Sequence, residues 1–229
     1  MMYSLVIFDC DGVLVDSEKL SAQVFSDTLR IYDVSMSANE CFTTFKGLTL
    51  SDCYEVIKGI HGVSLPLSFD LALAAATLAA FDESLKPVSG IEGVVQMLKK
   101  TKIPFCVASN GGHAKIRHAL HLTGLLPYFD GRIFSAQDVE NGKPAPDLFL
   151  YAARKMGAAV DDCLIVEDSI SGLAASKQAN IDAIYFDVDS QHKHAPLTLS
   201  DTDHTIYSVQ NMALLSSLLA KATANAKQC

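Results

Sequence analysis

The chain has 229 residues, 49% hydrophobic and 19% charged, with 13 Gly and 7 Pro, a balance that excludes collagenous, low-complexity and mostly disordered classes. The formal net charge of −8, from 18 Lys and Arg against 26 Asp and Glu, supplies no general basic field for nucleic acid or anionic lipid. An anionic substrate would have to be captured by a few local residues or by a metal.

The first apolar run, Tyr3–Phe8, stops at Asp9 and Asp11, and no basic segment precedes it, which predicts the absence of a signal peptide. The next short apolar runs are Ile103–Ala108, Arg132–Ser135, Cys163–Val166 and Ile181–Phe186. Each is followed by a turn and a helix-like stretch: Ile91–Lys100 precedes the second run, then come His113–Leu122, Asp147–Met156, Ile170–Gln178 and a last helix near Asn211–Ala226. Near-continuous apolar strands alternating with helices predict a doubly wound α/β core, a Rossmann-like parallel sheet of βαβ units buried on both faces. Pro144 and Pro146 mark the start of the Asp147 helix.

The rhythm breaks between the first two runs. From Ser17 to Leu85 the sequence offers no strand but four helical stretches, Glu18–Ile31, Ala38–Phe45, Leu50–Ile60 and Ser68–Phe81. A crossover needs only about a dozen residues, so roughly 70 helical residues form an inserted bundle. The expected division is a core of residues 1–16 and 87–229 with a helical insert of 17–86, re-entering through Lys86-Pro87-Val88-Ser89-Gly90. The longest greasy run, Leu71 to Phe81, lies between Asp70 and Asp82 and falls short of the ~18 residues that span a bilayer, so no membrane partner is expected. Cys10, Cys41, Cys53, Cys106, Cys163 and Cys229 are widely spread, without a C-x-x-C pair, and predict reduced thiols and a cytoplasmic protein.

In an open parallel sheet, ligands bind beyond the carboxyl ends of the strands. The first strand runs into Asp9-Cys10-Asp11-Gly12, the second into Ser109-Asn110-Gly111-Gly112 and the fourth into Glu167-Asp168-Ser169, while Lys143 stands just before a helix. Asp9, Asp11, Glu167 and Asp168 at one rim repel one another unless a cation compensates, and hard oxygen ligands suit Mg²⁺. Ser109 and the following N–H groups can hold phosphate oxygens at a helix N-terminus, with Lys143 as an added point charge. A carboxylate beside Mg²⁺ and a bound phosphate is placed to attack phosphorus and form an aspartyl-phosphate. Taken singly, each piece has a plain reading as a turn former, helix cap or solvated lysine. Their order, each at the end of a strand, favours the joint reading.

Those residues resemble a known family. Asp9-Cys10-Asp11-Gly12-Val13-Leu14-Val15-Asp16-Ser17-Glu18 is similar to the first signature of the haloacid dehalogenase-like hydrolases, Ser109-Asn110 to the second, Lys143-Pro144-Ala145-Pro146 to the third and Val166-Glu167-Asp168-Ser169 to the fourth. The resemblance covers nearly the whole chain, and the insert is similar to the family's helical cap of the C1 type. It implies Asp9 as nucleophile and Asp11 as general acid/base. It further implies Mg²⁺ held by Asp9, the Asp11 carbonyl and Asp168 with Glu167 in support, and a phosphoryl group bound by Ser109, Asn110 and Lys143.

Within the family, Asp11 is present where metal-free dehalogenases lack the second aspartate. Mutases of the β-phosphoglucomutase type resemble the chain but carry a cap histidine where Ser21 stands, and an arginine after the Lys-Gly pair where the sequence reads Lys46-Gly47-Leu48-Thr49-Leu50. The resemblance is strongest to bacterial phosphatases of sugar acid phosphates such as 6-phosphogluconate, with Glu18 and Lys46 as cap residues facing the leaving group. The expected function is therefore a Mg²⁺-dependent phosphatase of a small phosphorylated metabolite, with a phosphosugar mutase or a non-catalytic phospho-receiver domain as alternatives. A monomer is the working expectation. His118, His121, His192 and His194 lack a recognisable zinc spacing, and Asp187–Asp203 reads as a solvated loop before the last helix.

Overall fold

The computed structural model describes residues 3–46, 48–186, 199–201 and 204–223. Gly47, Asp187, Asp189, His192, His194, Asp203, Cys229 and the end of the expected last helix, 224–226, lie outside the described residues. By compactness the chain divides into two units, Met1–Val15 with Pro87–Cys229, and Asp16–Lys86.

The first unit is built on a seven-stranded sheet. Its strands are β1 (Leu5–Phe8), β2 (Phe105–Ser109), β3 (Ile133–Ser135), β4 (Cys163–Glu167), β5 (Asp182–Phe186), β6 (Leu199–Asp201) and β7 (His204–Val209), ordered β3-β2-β1-β4-β5-β7-β6. Every pairing is parallel except β6 with β7. The apolar runs form parallel strands because every residue of β1, β2 and β4 is buried, leaving no polar face for solvent. Register puts Phe8 opposite both Val107 and Val166, so the residues that follow these strands emerge at one edge of the sheet. Asp9 continues the ladder, its N–H donating to the Val166 carbonyl at 2.9 Å.

Helices α5 (Ile91–Thr101), α6 (His113–Leu122), α7 (Leu126–Phe129), α8 (Asp147–Met156), α9 (Ile170–Ala179) and α10 (Met212–Thr223) belong to the same unit. Leu148, Phe149 and Ala152 of α8 bury against Leu5, Ile7, Cys106 and Ile165. Phe8, Phe105 and Phe129 form a second apolar centre of edge-to-face rings, with centroids 5.3 to 6.5 Å apart.

The second unit is the helical insert, α1 (Glu18–Ile31), α2 (Ala38–Phe45), α3 (Leu50–His61) and α4 (Leu67–Ser84). Capping boxes, Ser37 with Glu40 and Thr49 with Asp52, start α2 and α3. Phe69 is fully buried and meets the rings of Phe25, Tyr32 and Tyr54, so one α4 side chain ties this unit's core together.

Three sequence expectations are corrected. The second strand begins at Phe105 rather than Ile103, since Pro104 has no N–H for the ladder and contributes only its carbonyl, to Val6. The reading of Asp187–Asp203 as a loop fails where Leu199–Asp201 forms β6, and β7 was not expected at all. His204–Val209 shows no regular alternation, its buried apolar residues Ile206 and Val209 falling on opposite faces, and it becomes a strand through parallel pairing with β5. The short helix α7 was also not expected; it starts on the local signal of Pro127 in its first turn. No described helix is long and apolar enough to cross a membrane.

Away from the carboxyl ends, Asp182 is buried and accepts from the Tyr3 hydroxyl at 2.5 Å and the Thr205 N–H at 2.6 Å. Burial, then the Asp182 carboxylate, push the Tyr3 phenol well above its usual range. Tyr3→Phe should lower the unfolding free energy by about 1–3 kcal/mol at pH 7, read from urea denaturation, by leaving a buried acceptor short of a partner. Because the folded-state phenol titrates above the unfolded one, its contribution is fully present below about pH 10 and is lost at higher pH, so the gap between wild type and Tyr3→Phe should narrow there.

Candidate active site

The turn after β1 carries the first two aspartates. Gly12 has φ of +74°, and a Cβ on it would lie 2.2 Å from Asp168 Oδ2, so only glycine lets the Asp11–Gly12 backbone pass this close to that carboxylate. The Gly12 N–H donates to the Val15 carbonyl and the Leu14 N–H to that of Cys10, both at 2.9 Å, closing the turn on itself.

At the end of β2, Ser109 is buried and its Oγ accepts from the Gly111 N–H at 3.2 Å. The Ser135 hydroxyl at the end of β3 donates to the Gly111 carbonyl at 2.6 Å, fixing the loop from the neighbouring strand. The Asn110 carboxamide donates to the Lys143 carbonyl at 2.9 Å and accepts from the Lys143 N–H at 2.8 Å. Its side chain thereby ties the β2 loop to the Lys143 backbone.

Lys143 is 4% exposed. Its Nζ donates to Asp9 Oδ1 at 2.7 Å and to Glu167 Oε2 at 2.8 Å, and lies 4.8 Å from the centre of the Phe149 ring. Burial alone would favour the neutral amine, but Asp9 and Glu167 outweigh it and hold the ammonium charged. Burial also pushes the Asp9 carboxyl up to about 7; Lys143 opposes that rise, while Glu167 and Asp11 add to it.

Glu167 has its other oxygen engaged, Oε1 accepting from the Ser169 N–H at 3.1 Å and hydroxyl at 2.6 Å. Ser169 in turn caps α9 by accepting from the Gly172 N–H, and a Cβ on Gly172 would lie 2.0 Å from Glu167 Cδ. Side-chain oxygens of Asp9, Glu167 and Asp168 lie within 4.8 Å of one another, all three residues buried. This is the one group of three metal-capable side chains among the described residues, and it includes neither His118 nor His121.

One residue was missed by the sequence reading. Lys115, in the first turn of α6, donates from Nζ to Asp11 Oδ2 at 2.7 Å. Burial works against its charge, but Asp11, followed by Cys10 and Asp9, raises its affinity for a proton overall. The available signal was a cation at a helix N-terminus, where the macrodipole disfavours it. The Cys10 thiol between the two aspartates is buried and pushed well above its usual range, first by burial and then by Asp11 and Asp9, so it is held as an inert thiol.

Asp9, Asp11, Ser109, Asn110, Lys143, Glu167 and Asp168 thus all lie in the first unit, at the carboxyl ends of β1, β2 and β4 and the start of α8. Glu18 and Lys46 belong to the second unit, at the first residue of α1 and the end of α2, where the Lys46 ammonium lies 5.4 Å from the Phe42 ring centre.

Comparison with known proteins bears on this constellation. The sequence profile of a family described as haloacid dehalogenase-like hydrolase matches residues 6–186. The chain is 33% identical over 189 residues to a 6-phosphogluconate phosphatase of Escherichia coli, covering 82% of this chain and 84% of that one. It is 27% identical over 181 residues to a phosphorylated carbohydrates phosphatase of Thermotoga maritima, covering 79% and 83%. Among solved structures, a haloacid dehalogenase-like protein of Agrobacterium tumefaciens superposes with a TM-score of 0.79 at 29% identity, over 96% of this chain and 98% of that one.

Removing the shared cation should expose what it holds. Lys143→Met leaves Asp9 and Glu167 buried without their ammonium and should lower the unfolding free energy by about 3–5 kcal/mol in metal-free buffer at neutral pH, measured by urea denaturation. A loss below about 1 kcal/mol, the range of exposed pairs, would contradict the buried arrangement.

Proposed function

Because this chain belongs to the haloacid dehalogenase-like hydrolase family, with phosphatase relatives across most of its length, we propose that it is a Mg²⁺-dependent phosphatase of small phosphorylated metabolites working through an aspartyl-phosphate on Asp9. The observation that carries this reading is the contact of the buried Lys143 ammonium with Asp9 Oδ1, inside a cluster of three buried carboxylates. A carboxylate so placed has a fixed direction of attack and a positive charge ready for the phosphoryl oxygens.

The donor set fits a hard divalent cation. It consists of oxygen ligands only, and one ammonium serves two of the three carboxylates that converge. Asp9, Asp168 and the Asp11 main chain would hold Mg²⁺, with Glu167 in support through Lys143 and Ser169. When bound, the ion supplies positive charge against the transferring phosphoryl group. The protein's own part is then a two-step exchange. An Asp9 oxygen bonds to phosphorus as the bond to the leaving oxygen breaks, and Asp11 gives that oxygen a proton. Water next attacks the phosphorus, Asp11 takes its proton, and Asp9 returns with release of inorganic phosphate. Ser109, the N–H groups leading into α6, and Lys143 bind the phosphoryl oxygens throughout.

For the substrate we favour a phosphorylated sugar acid of the 6-phosphogluconate kind. The E. coli relative bears that activity in its name, and Lys46, at the end of α2, offers a cation for a carboxylate. The helical unit would serve as the cap. Ser21, standing where the resembling mutases have a histidine, and the stretch Lys46-Gly47-Leu48-Thr49-Leu50, which lacks the arginine that follows their Lys-Gly pair, support water as the final acceptor. The hydrolase match leaves the phospho-receiver alternative without support. Five buried free thiols among the described residues fit a reducing, cytoplasmic setting.

Phosphate release should vanish in EDTA and return with Mg²⁺, and Asp9→Asn should be inactive and carry no phosphoryl group in acid-quenched mass spectra. Full activity without metal, or turnover by Asp9→Asn, would refute the scheme. Lys46→Ala should raise KM for 6-phosphogluconate several-fold more than for glucose 6-phosphate. An equal effect on both would remove Lys46 from substrate recognition.

A further inference from the structure

We propose that Lys115 is the positioning residue of the acid/base carboxylate: through its contact with Asp11 Oδ2 it fixes the orientation in which Asp11 hands a proton to the leaving group. The inference rests on the reading of Asp11 as proton donor.

Four observations carry it. The ammonium reaches Asp11 across 104 residues of sequence, with Nζ 2.7 Å from Oδ2. The lysine stands in the first turn of α6, where the helix dipole disfavours a cation, so its place is accounted for by the carboxylate it meets rather than by the helix. Its stem runs beside the phosphate loop: a Cβ on Gly111 would lie 3.6 Å from Lys115 Cδ, and 3.5 Å from Ser109 Oγ. Finally, the site divides its two lysines between its two aspartates. Lys143 is 3% exposed at the side chain and serves Asp9, whereas Lys115 and Asp11 are 34% and 25% exposed and so within reach of solvent.

A short aspartate side chain turns about two bonds, and an unrestrained carboxyl presents either oxygen. With Oδ2 held by Lys115, the plane of the Asp11 carboxyl is fixed. The proton passes from that carboxyl to the bridging oxygen as the bond from phosphorus to that oxygen breaks and the bond to Asp9 forms. Lys115 keeps its own protons throughout, and its charge stabilises the Asp11 carboxylate left behind.

The dependence on the leaving group tests this. An alkyl ester departs as a strongly basic alkoxide and needs the proton, whereas p-nitrophenolate departs without one. Lys115→Met should therefore lower kcat/KM for glycerol phosphate by roughly 10- to 100-fold, and for p-nitrophenyl phosphate by less than about threefold. Lys115→Arg, which keeps the charge, should recover most of the loss and serves as the comparison if the methionine variant does not fold. In an Asp11→Asn background, Lys115→Met should cost nothing more with the alkyl ester. Equal losses on both esters, no loss on the alkyl ester, or a further loss in the Asp11→Asn background would each overturn the proposal. A wild-type protein that hydrolyses neither ester would instead remove the phosphatase reading, and this inference with it.

Discussion

The site depends on one buried ammonium. Lys143 lies within hydrogen-bonding distance of Asp9 and Glu167, almost wholly out of water, and neither partner would stay buried and charged without the other. The surrounding contacts position the pieces of this cluster. Asn110 grips the Lys143 backbone from the β2 loop, and Ser169 pins the far oxygen of Glu167 from the start of α9. The Phe149 ring, its centre 4.8 Å away, gives the ammonium an aromatic neighbour. Strands β1, β2 and β4 and helices α8 and α9 are thereby coupled through a single side chain.

Such crowding of charge is possible only because backbone comes unusually close at two points. Gly12 lets the turn after β1 pass against Asp168, and Gly172 lets the first turn of α9 sit on Glu167. A methyl group at either position would occupy the carboxylate's own volume. The parallel sheet supplies the rest, since adjacent strands in register deliver their following residues to one edge. Side chains far apart in sequence meet there without any long loop having to be ordered.

Within the cluster the two aspartates have different surroundings, and their expected roles follow from that difference. Asp9 is enclosed, directly on Lys143, and suited to attack from a fixed direction. Asp11 is partly open to solvent and held by Lys115, as suits a group that exchanges protons with a leaving group and with water. Cys10 between them contributes an apolar, inert side chain to the core.

The sequence by itself determined the parallel α/β core, the helical insert, and the candidate residues, six at the carboxyl ends of the strands and Lys143 ahead of α8. Those features are local: apolar runs buried on both faces, and polar residues stationed where such runs stop. Strands β6 and β7 were not legible, because a short segment without a clear polar–apolar period becomes a strand only through the neighbour it pairs with, β5 for β7 and β7 for β6. Tertiary structure alone decided the partners within the site. Nothing near Asn110 in sequence shows that its carboxamide would be spent on the Lys143 backbone, and nothing near Lys115 shows that it would reach Asp11. Hydrogen-bond partners more than thirty and a hundred residues away are set by sheet register and helix placement, which no local pattern of residues encodes.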